Sequence, residues 1–239
     1  MNHNTPDNRT TRQSVRLSFF GFLASWSIVF GLLFLNAASL SVVWGLEPEF
    51  EPSGFVELLN GENLDGWKSG EDSNAFVVED GLLKVHGKHS YLFYEGAVNE
   101  HDWKDFHAQI VIQTKTKAAG GIYFHTEFEK EKDPPKGYKC QIANGHPDPQ
   151  KTGSLYGISS ESAIMVEDND WFILDIYVRD RRVVTMINGR WSVNWLESKE
   201  YTPPQGHEGR RLGRGTFAIE ARDLNSTVLI KSFRVRPLK

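Results

Sequence analysis

A single cysteine, Cys140, stands among the 239 residues. No intramolecular disulfide can staple this chain, so the fold must rest on its core. Cys140 lies between Lys139 and Gln141, where alternation puts it on the apolar side. That suits a small buried filler and leaves no neighbouring base to activate a thiolate. Positive charge is also scarce: 27 Lys and Arg face 31 Asp and Glu, for a net charge of -4. The first 46 residues hold three arginines and one aspartate, so the remainder is more acidic still, at about -6. This argues against a nucleic-acid partner, which needs a basic excess. Arg210, Arg211 and Arg214 form a local basic patch, read as a solvated loop. No glycine-rich loop opens a helix, so nucleotide binding has no support. No Gly-x-Ser-x-Gly elbow occurs around Ser159, Ser160 or Ser162. No paired His or Cys spacing matches a structural zinc site, and no helical period is sustained.

What is present begins with a basic, then apolar, amino terminus. Arg9, Arg12 and Arg16 precede an apolar run from Leu17 to Leu35, followed by the small residues Asn36-Ala37-Ala38-Ser39. That order marks a secretory signal. The run is close to the roughly 20 residues that span a bilayer, so an uncleaved anchor is the rival reading. Neither a lipoprotein cysteine nor a twin-arginine pair accompanies it. Both readings place the folded part outside the cytoplasm, secreted or periplasmic, with the membrane touched only through this segment. Residues 1–46 are therefore assigned to targeting, 47–53 to an acidic, proline-bearing linker, and 54–239 to one folded domain.

The rest reads as alternating strands. Phe76 to Glu79 and Leu82 to Val85 flank Asp80-Gly81, and Val183 to Ile187 and Arg190 to Trp195 flank Asn188-Gly189; both are hairpins with type I′ turn signals. Phe106 to Gln113 alternates apolar and polar residues, Trp171 to Val178 is a long apolar run, and 215–221 and 227–235 close the chain. Ten or more short strands without helices of note specify an all-β, antiparallel β-sandwich of jelly-roll type.

The most telling stretch runs from Gly120 to Gly157. Two strand-like runs, GGIYFHTE and KGYKCQIAN, flank a charged loop, and a third, TGSLYGI, follows a loop carrying His146 and Asp148. Strand side chains alternate faces, so Tyr123 and His125 share one face, and Lys139 and Gln141 share one face of the next run. If the runs pair, ring, imidazole, amine and amide groups come together, a surface suited to a polyhydroxylated ligand. Tyr156, Trp191 and Trp195 are candidate sugar platforms, the two tryptophans on one face, whereas Trp171 reads as core. His125 and Glu127 are a same-face pair able to bind a metal, and His146 sits in a loop placed to cap the site. His86, His89, His101 and His107 read as surface groups.

Several ordered stretches also carry a family resemblance: GFVELLNGENLDGWK, GGIYFHTE, KGYKCQI with KTGSLYG, NDWFILDIYVRDRRVVTMINGRW, and GTFAIEARDLNSTVLIKSFRVRPL. Over about Gly54 to Leu238 the chain resembles the 3-keto-disaccharide hydrolase domain family of secreted proteins. The resemblance implies a concanavalin A-like β-sandwich that cleaves glycosides oxidised at the 3-position, by hydrolysis or by a lyase step. Such chemistry needs a base tuned near neutral pH and a holder for an enolate oxygen. On this reading His125 is the base, and Lys139, Gln141 or a divalent metal holds the oxyanion. Tyr123, Glu127, His146, Tyr156, Trp191, Glu220 and Arg222 would contact the sugar. The chain departs from the family's usual residues at Lys139, where glutamate is usual, and at Glu220 and Arg222, where glutamine and histidine are usual. Lys139 and Glu220 would form a charge-swapped pair if their strands are close. The alternative reading is a non-catalytic carbohydrate-binding or cell-surface module. Oligomeric state is not legible.

Overall fold

The computed structural model describes residues 54–130 and 133–238; the targeting segment and linker assigned to residues 1–53 lie outside them. Thirteen strands follow in chain order: β1 (Val56–Glu57), β2 (Trp67–Ser69), β3 (Phe76–Glu79), β4 (Leu82–Val85), β5 (Ser90–Tyr94), β6 (Phe106–Thr114), β7 (Gly120–Thr126), β8 (Tyr138–Ile142), β9 (Trp171–Arg179), β10 (Arg182–Ile187), β11 (Arg190–Leu196), β12 (Thr216–Ala221) and β13 (Val228–Pro237). Two short 3-10 turns are the only helical elements among the described residues, and no helix there is long and apolar enough to cross a membrane.

The strands form two antiparallel sheets. One has eight strands in the order β11-β10-β9-β6-β13-β4-β3, with β1 paired to β13; the other has five, β2-β5-β12-β7-β8. This is the expected all-β sandwich. Phe106 of β6 meets Phe217 of β12 edge-on at 4.9 Å and Phe124 of β7 at 5.7 Å, so aromatic rings interlock between the sheets. Cys140 is fully buried in this core. Both expected hairpins form, and Asp80, Gly81, Asn188 and Gly189 all have φ between +51° and +75°, as type I′ turns require.

Every residue of β5, β7, β8 and β12 is buried. One face of that sheet meets the core, and connecting loops cover the other. The loop after β8 returns along it: Tyr156 N–H donates to Lys139 O at 2.9 Å and Gln141 N–H to Ser154 O at 2.9 Å. Here the expected third strand, TGSLYGI, is instead a set of turns with isolated bridges at Leu155. Its glycines favour turning over laddering.

Three β-bulges interrupt the alternation, one of them at Lys231 of β13. In β7 the pairing with β12 skips His125, whose φ is +58°. In β11 the pairing with β10 skips Ser192, so Trp191 faces Met186 while Val193 faces Thr185. A bulge adds one residue to a strand and reverses the faces beyond it. Trp191 and Trp195 therefore take opposite faces, contrary to expectation. Trp191 is exposed on the eight-stranded sheet, while Trp195 packs edge-on against Tyr201 at 5.5 Å. Trp171, expected in the core, is exposed at the start of β9. His107, expected at the surface, is fully buried with Nε2 2.8 Å from Asp175 Oδ1.

Candidate functional site

The covered face of the five-stranded sheet is built from three adjacent strands. Tyr123 of β7 stands directly across from Lys139 of β8 and Ala218 of β12. One rung further, Gly121 separates Gln141 from Glu220, and Glu220 faces Tyr91 of β5 on its other side. Alternation thus brings Tyr91, Tyr123, Lys139, Gln141 and Glu220 onto one face. Ala218 and Gly121 keep the floor low between them. A Cβ on Gly121 would lie 2.5 Å from Lys139 Cε and 3.1 Å from Glu220 Oε2, so the bare backbone here makes room for those two side chains.

Above this floor lies a cavity of about 370 Å³, lined by His89, Tyr91, Tyr123, Asp133, Lys139, Tyr156, Gly206, His207, Arg210, Glu220 and Arg222. At its base the expected charge-swapped pair forms, with Lys139 Nζ 2.6 Å from Glu220 Oε2 and both side chains buried. Burial alone would push the Glu220 carboxyl up; Lys139, His89 and Arg222 together hold it below the usual carboxylate range. His89 Nε2 approaches Glu220 Oε1 at 3.6 Å, and this carboxylate raises the imidazole above its ordinary value despite partial burial. His89 Nε2 also lies 3.0 Å from the Tyr91 hydroxyl, which donates to Asp133 Oδ1 at 2.9 Å. Aromatic rings form the walls. Lys139 Nζ sits 4.7 Å from the centre of Tyr156, Arg210 lies 4.9 Å from the centre of Tyr123, and Tyr91 meets Tyr123 edge-on at 5.4 Å.

Of the residues singled out from the sequence, Tyr123, Lys139, Tyr156, Glu220 and Arg222 line this cavity. The others stand elsewhere. His125 is turned away from that face by its bulge and packs against Phe106 and Phe124. Its Nε2–H donates to Lys104 O at 2.7 Å, and its Nδ1 accepts from Gly213 N–H at 3.1 Å. Burial lowers its pKa to about 4, against the pull of the Lys104 carbonyl and nearby acids. Both of its nitrogens are thus occupied, and it does not line the cavity. Glu127 is exposed and paired with Lys136 at 2.6 Å, whereas His125 is buried. Among the described residues no group of three or more His, Cys, Asp or Glu is placed to hold a metal ion. Gln141 lies behind the cavity, its Nε2 donating to Asp148 Oδ2 at 3.1 Å while its buried Oε1 has no partner. His146 is beside the cavity rather than in it; Nδ1 accepts from Asp148 N–H at 3.1 Å, and burial followed by Arg222 lowers its pKa. Trp191 belongs to the other sheet.

Sequence reasoning missed His89, Tyr91, Asp133, His207 and Arg210. The alternation of β5, with Leu92 and Tyr94 in the core and Tyr91 and Phe93 opposite, carried a signal for Tyr91 and, by continuation, His89. Nothing in the pattern marks loop residues such as Arg210.

Fold and site together define a two-sheet, galectin-like β-sandwich with a polar, aromatic-walled cleft on one sheet. Within that class the chain belongs to the 3-keto-alpha-glucoside-1,2-lyase-like domain family, which it matches over residues 54–236. Solved structures agree on the fold. A candidate glycosyl hydrolase from Parabacteroides distasonis ATCC 8503 superposes with a TM-score of 0.67 at 20% identity, covering 79% of this chain and 95% of the other. A second from the same organism gives 0.62 at 14% identity, covering 77% and 99%. A Bacillus subtilis protein of unknown function with a galectin-like fold gives 0.53 at 11% identity, covering 76% and 94%. No curated protein matches the sequence.

Proposed function

We propose that this domain acts on carbohydrate and, more specifically, cleaves glycosides oxidised at the 3-position. The basic-then-apolar amino terminus supports an extracytoplasmic location, whether cleaved or anchored. The observation that carries the reading is the cavity itself: aromatic walls around a buried Lys139–Glu220 pair with an accessible imidazole beside it, in a family described by that reaction.

A 3-ketone acidifies the hydrogen on C2. A base takes that proton, and the C–H electrons pass into an enolate with its negative charge on the ketone oxygen. Collapse of the enolate breaks the C1–O bond and leaves a C1=C2 double bond; the departing oxygen takes up a proton. Water added across the double bond afterwards gives the free 3-keto sugar. His89 replaces His125 as the base, since it lines the cavity and the Glu220 carboxylate increases its basicity. Lys139 is the enolate holder, a charged donor fixed in a site of low dielectric. Tyr156 offers a face for the sugar ring.

The test is release of sugar from a 3-keto disaccharide by wild type, His89→Ala and Lys139→Ala. Loss of the base should slow turnover by roughly 10²–10⁴. Turnover untouched by His89→Ala would remove that assignment. The second reading, a sugar-binding module, is favoured by one fact: Lys139 and Glu220 already neutralise each other. Tight binding without turnover in the wild type would select it.

A further inference from the structure

The charged groups around the cavity pair off except at one place. Lys139 is matched by Glu220 at 2.6 Å, and Arg222 faces Asp148 Oδ2 at 3.8 Å. Asp133 lies 3.9 Å from His89 Nδ1. Arg210 has no carboxylate within ion-pair distance among the described residues. Its guanidinium lies against the Tyr123 ring, 4.9 Å from the ring centre, and hydrogen-bonds the Tyr123 side chain, while Nη1 donates to Gly137 O at 3.3 Å. That leaves most of its five N–H donors unspent at the cavity wall. Tyr123 is the direct cross-strand partner of Lys139, so Arg210 lies over the ring next to a second cation. Contact with the ring and the bond to Gly137 O orient the planar fork before any ligand arrives. Of the three permanent cations that line the cavity, Lys139 and Arg222 each have a carboxylate partner, and Arg210 is the one left to meet a ligand. This happens in a protein whose net charge is -4.

We propose that the ligand carries an oxyanion on its sugar, a carboxylate as in a uronic acid or a sulfate ester, and that Arg210 is the specificity-determining residue that grips it. A guanidinium recognises either group through two parallel charge-assisted hydrogen bonds. The inference rests on the carbohydrate reading of the same cavity. It adds which carbohydrates are preferred. Arg210 acts in recognition, and His89 and Lys139 keep their places at the reacting carbon atoms.

The experiment is titration calorimetry with three sugars of one scaffold: the neutral 3-keto glucoside, its 6-carboxylate and its 6-sulfate. Each is measured on wild type, Arg210→Gln, Arg210→Lys and Arg222→Gln, at low and high salt. The expected result is a preference of about tenfold or more for a charged sugar in the wild type, shrinking with salt. Arg210→Gln should bring the charged-to-neutral ratio toward one. Arg210→Lys, which keeps the charge but loses the fork, should retain part of it. The carboxylate and sulfate arms show which oxyanion fits. Equal affinity for neutral and charged sugars in the wild type would overturn the inference while leaving the carbohydrate function standing. So would a preference that survives Arg210→Gln and vanishes only in Arg222→Gln. If none of the three sugars binds, the carbohydrate reading falls, and this inference falls with it.

Discussion

Lys139 and Glu220 are each buried, and each is tolerable only because of the other. Taking a carboxylate out of water costs several kcal/mol, and an ammonium at 2.6 Å offsets much of that. Removing one partner leaves an uncompensated buried charge. Lys139→Met should therefore cost about 3–5 kcal/mol of stability, and Glu220→Gln should also destabilise, by leaving the ammonium without its anion. The double variant, Lys139→Met with Glu220→Gln, should lose less than the sum of the two, because neither orphan charge remains. Urea unfolding of the four proteins checks this. Additive losses would mean the two groups do not act as a pair. Gly121 belongs to the same unit, since any Cβ there would displace Lys139 Cε.

The loop after β11 carries His207 and Arg210 to the cavity, and it is tied to the sandwich by buried acceptors. Glu197 Oε2 accepts from Tyr138 Oη at 2.6 Å and from Leu212 N–H at 2.8 Å, and His125 Nδ1 holds Gly213 N–H. Glu197→Ala should free residues 201–214. Amide exchange there should quicken and sugar affinity should fall, while β5 and β12 stay protected. Loss of protection across the whole five-stranded sheet would show that Glu197 supports the fold rather than the loop. These elements also show how far the sequence could be read. Two-residue alternation placed Tyr123 and Lys139 together correctly, because β7 and β8 pair in register up to Phe124. It failed at His125, the bulged residue itself, and again at Trp191 and Trp195, which lie on either side of a bulge. A bulge adds a single residue without any compositional mark, and a slip of one reverses every face after it. Arg210 was illegible for a different reason: a loop has no period, and its cavity position depends on contacts with β7 and on Gly137.

For the whole molecule, stability cannot lean on disulfides, so acid sensitivity is set by how buried groups take up protons. His125 is the clearest case. It folds as a neutral imidazole between Lys104 O and Gly213 N–H, with its pKa lowered from 6.5 to about 4 chiefly by burial. Between those values the unfolded chain binds a proton that the folded chain does not. Stability therefore rises with pH across that window. The contribution is complete above 6.5 and drains away as the pH falls toward about 4. A difference of this size corresponds to about 3 kcal/mol at most. Urea midpoints measured at half-unit steps from pH 7 to pH 4 should show the wild type losing stability steadily. His125→Asn cannot titrate; it should start less stable and lose correspondingly less over the same range. The difference between the two curves isolates His125 from the carboxylates, which both proteins share. Parallel curves would mean that the imidazole is protonated in the folded state as readily as in the unfolded one, so that it is not held neutral between Lys104 O and Gly213 N–H.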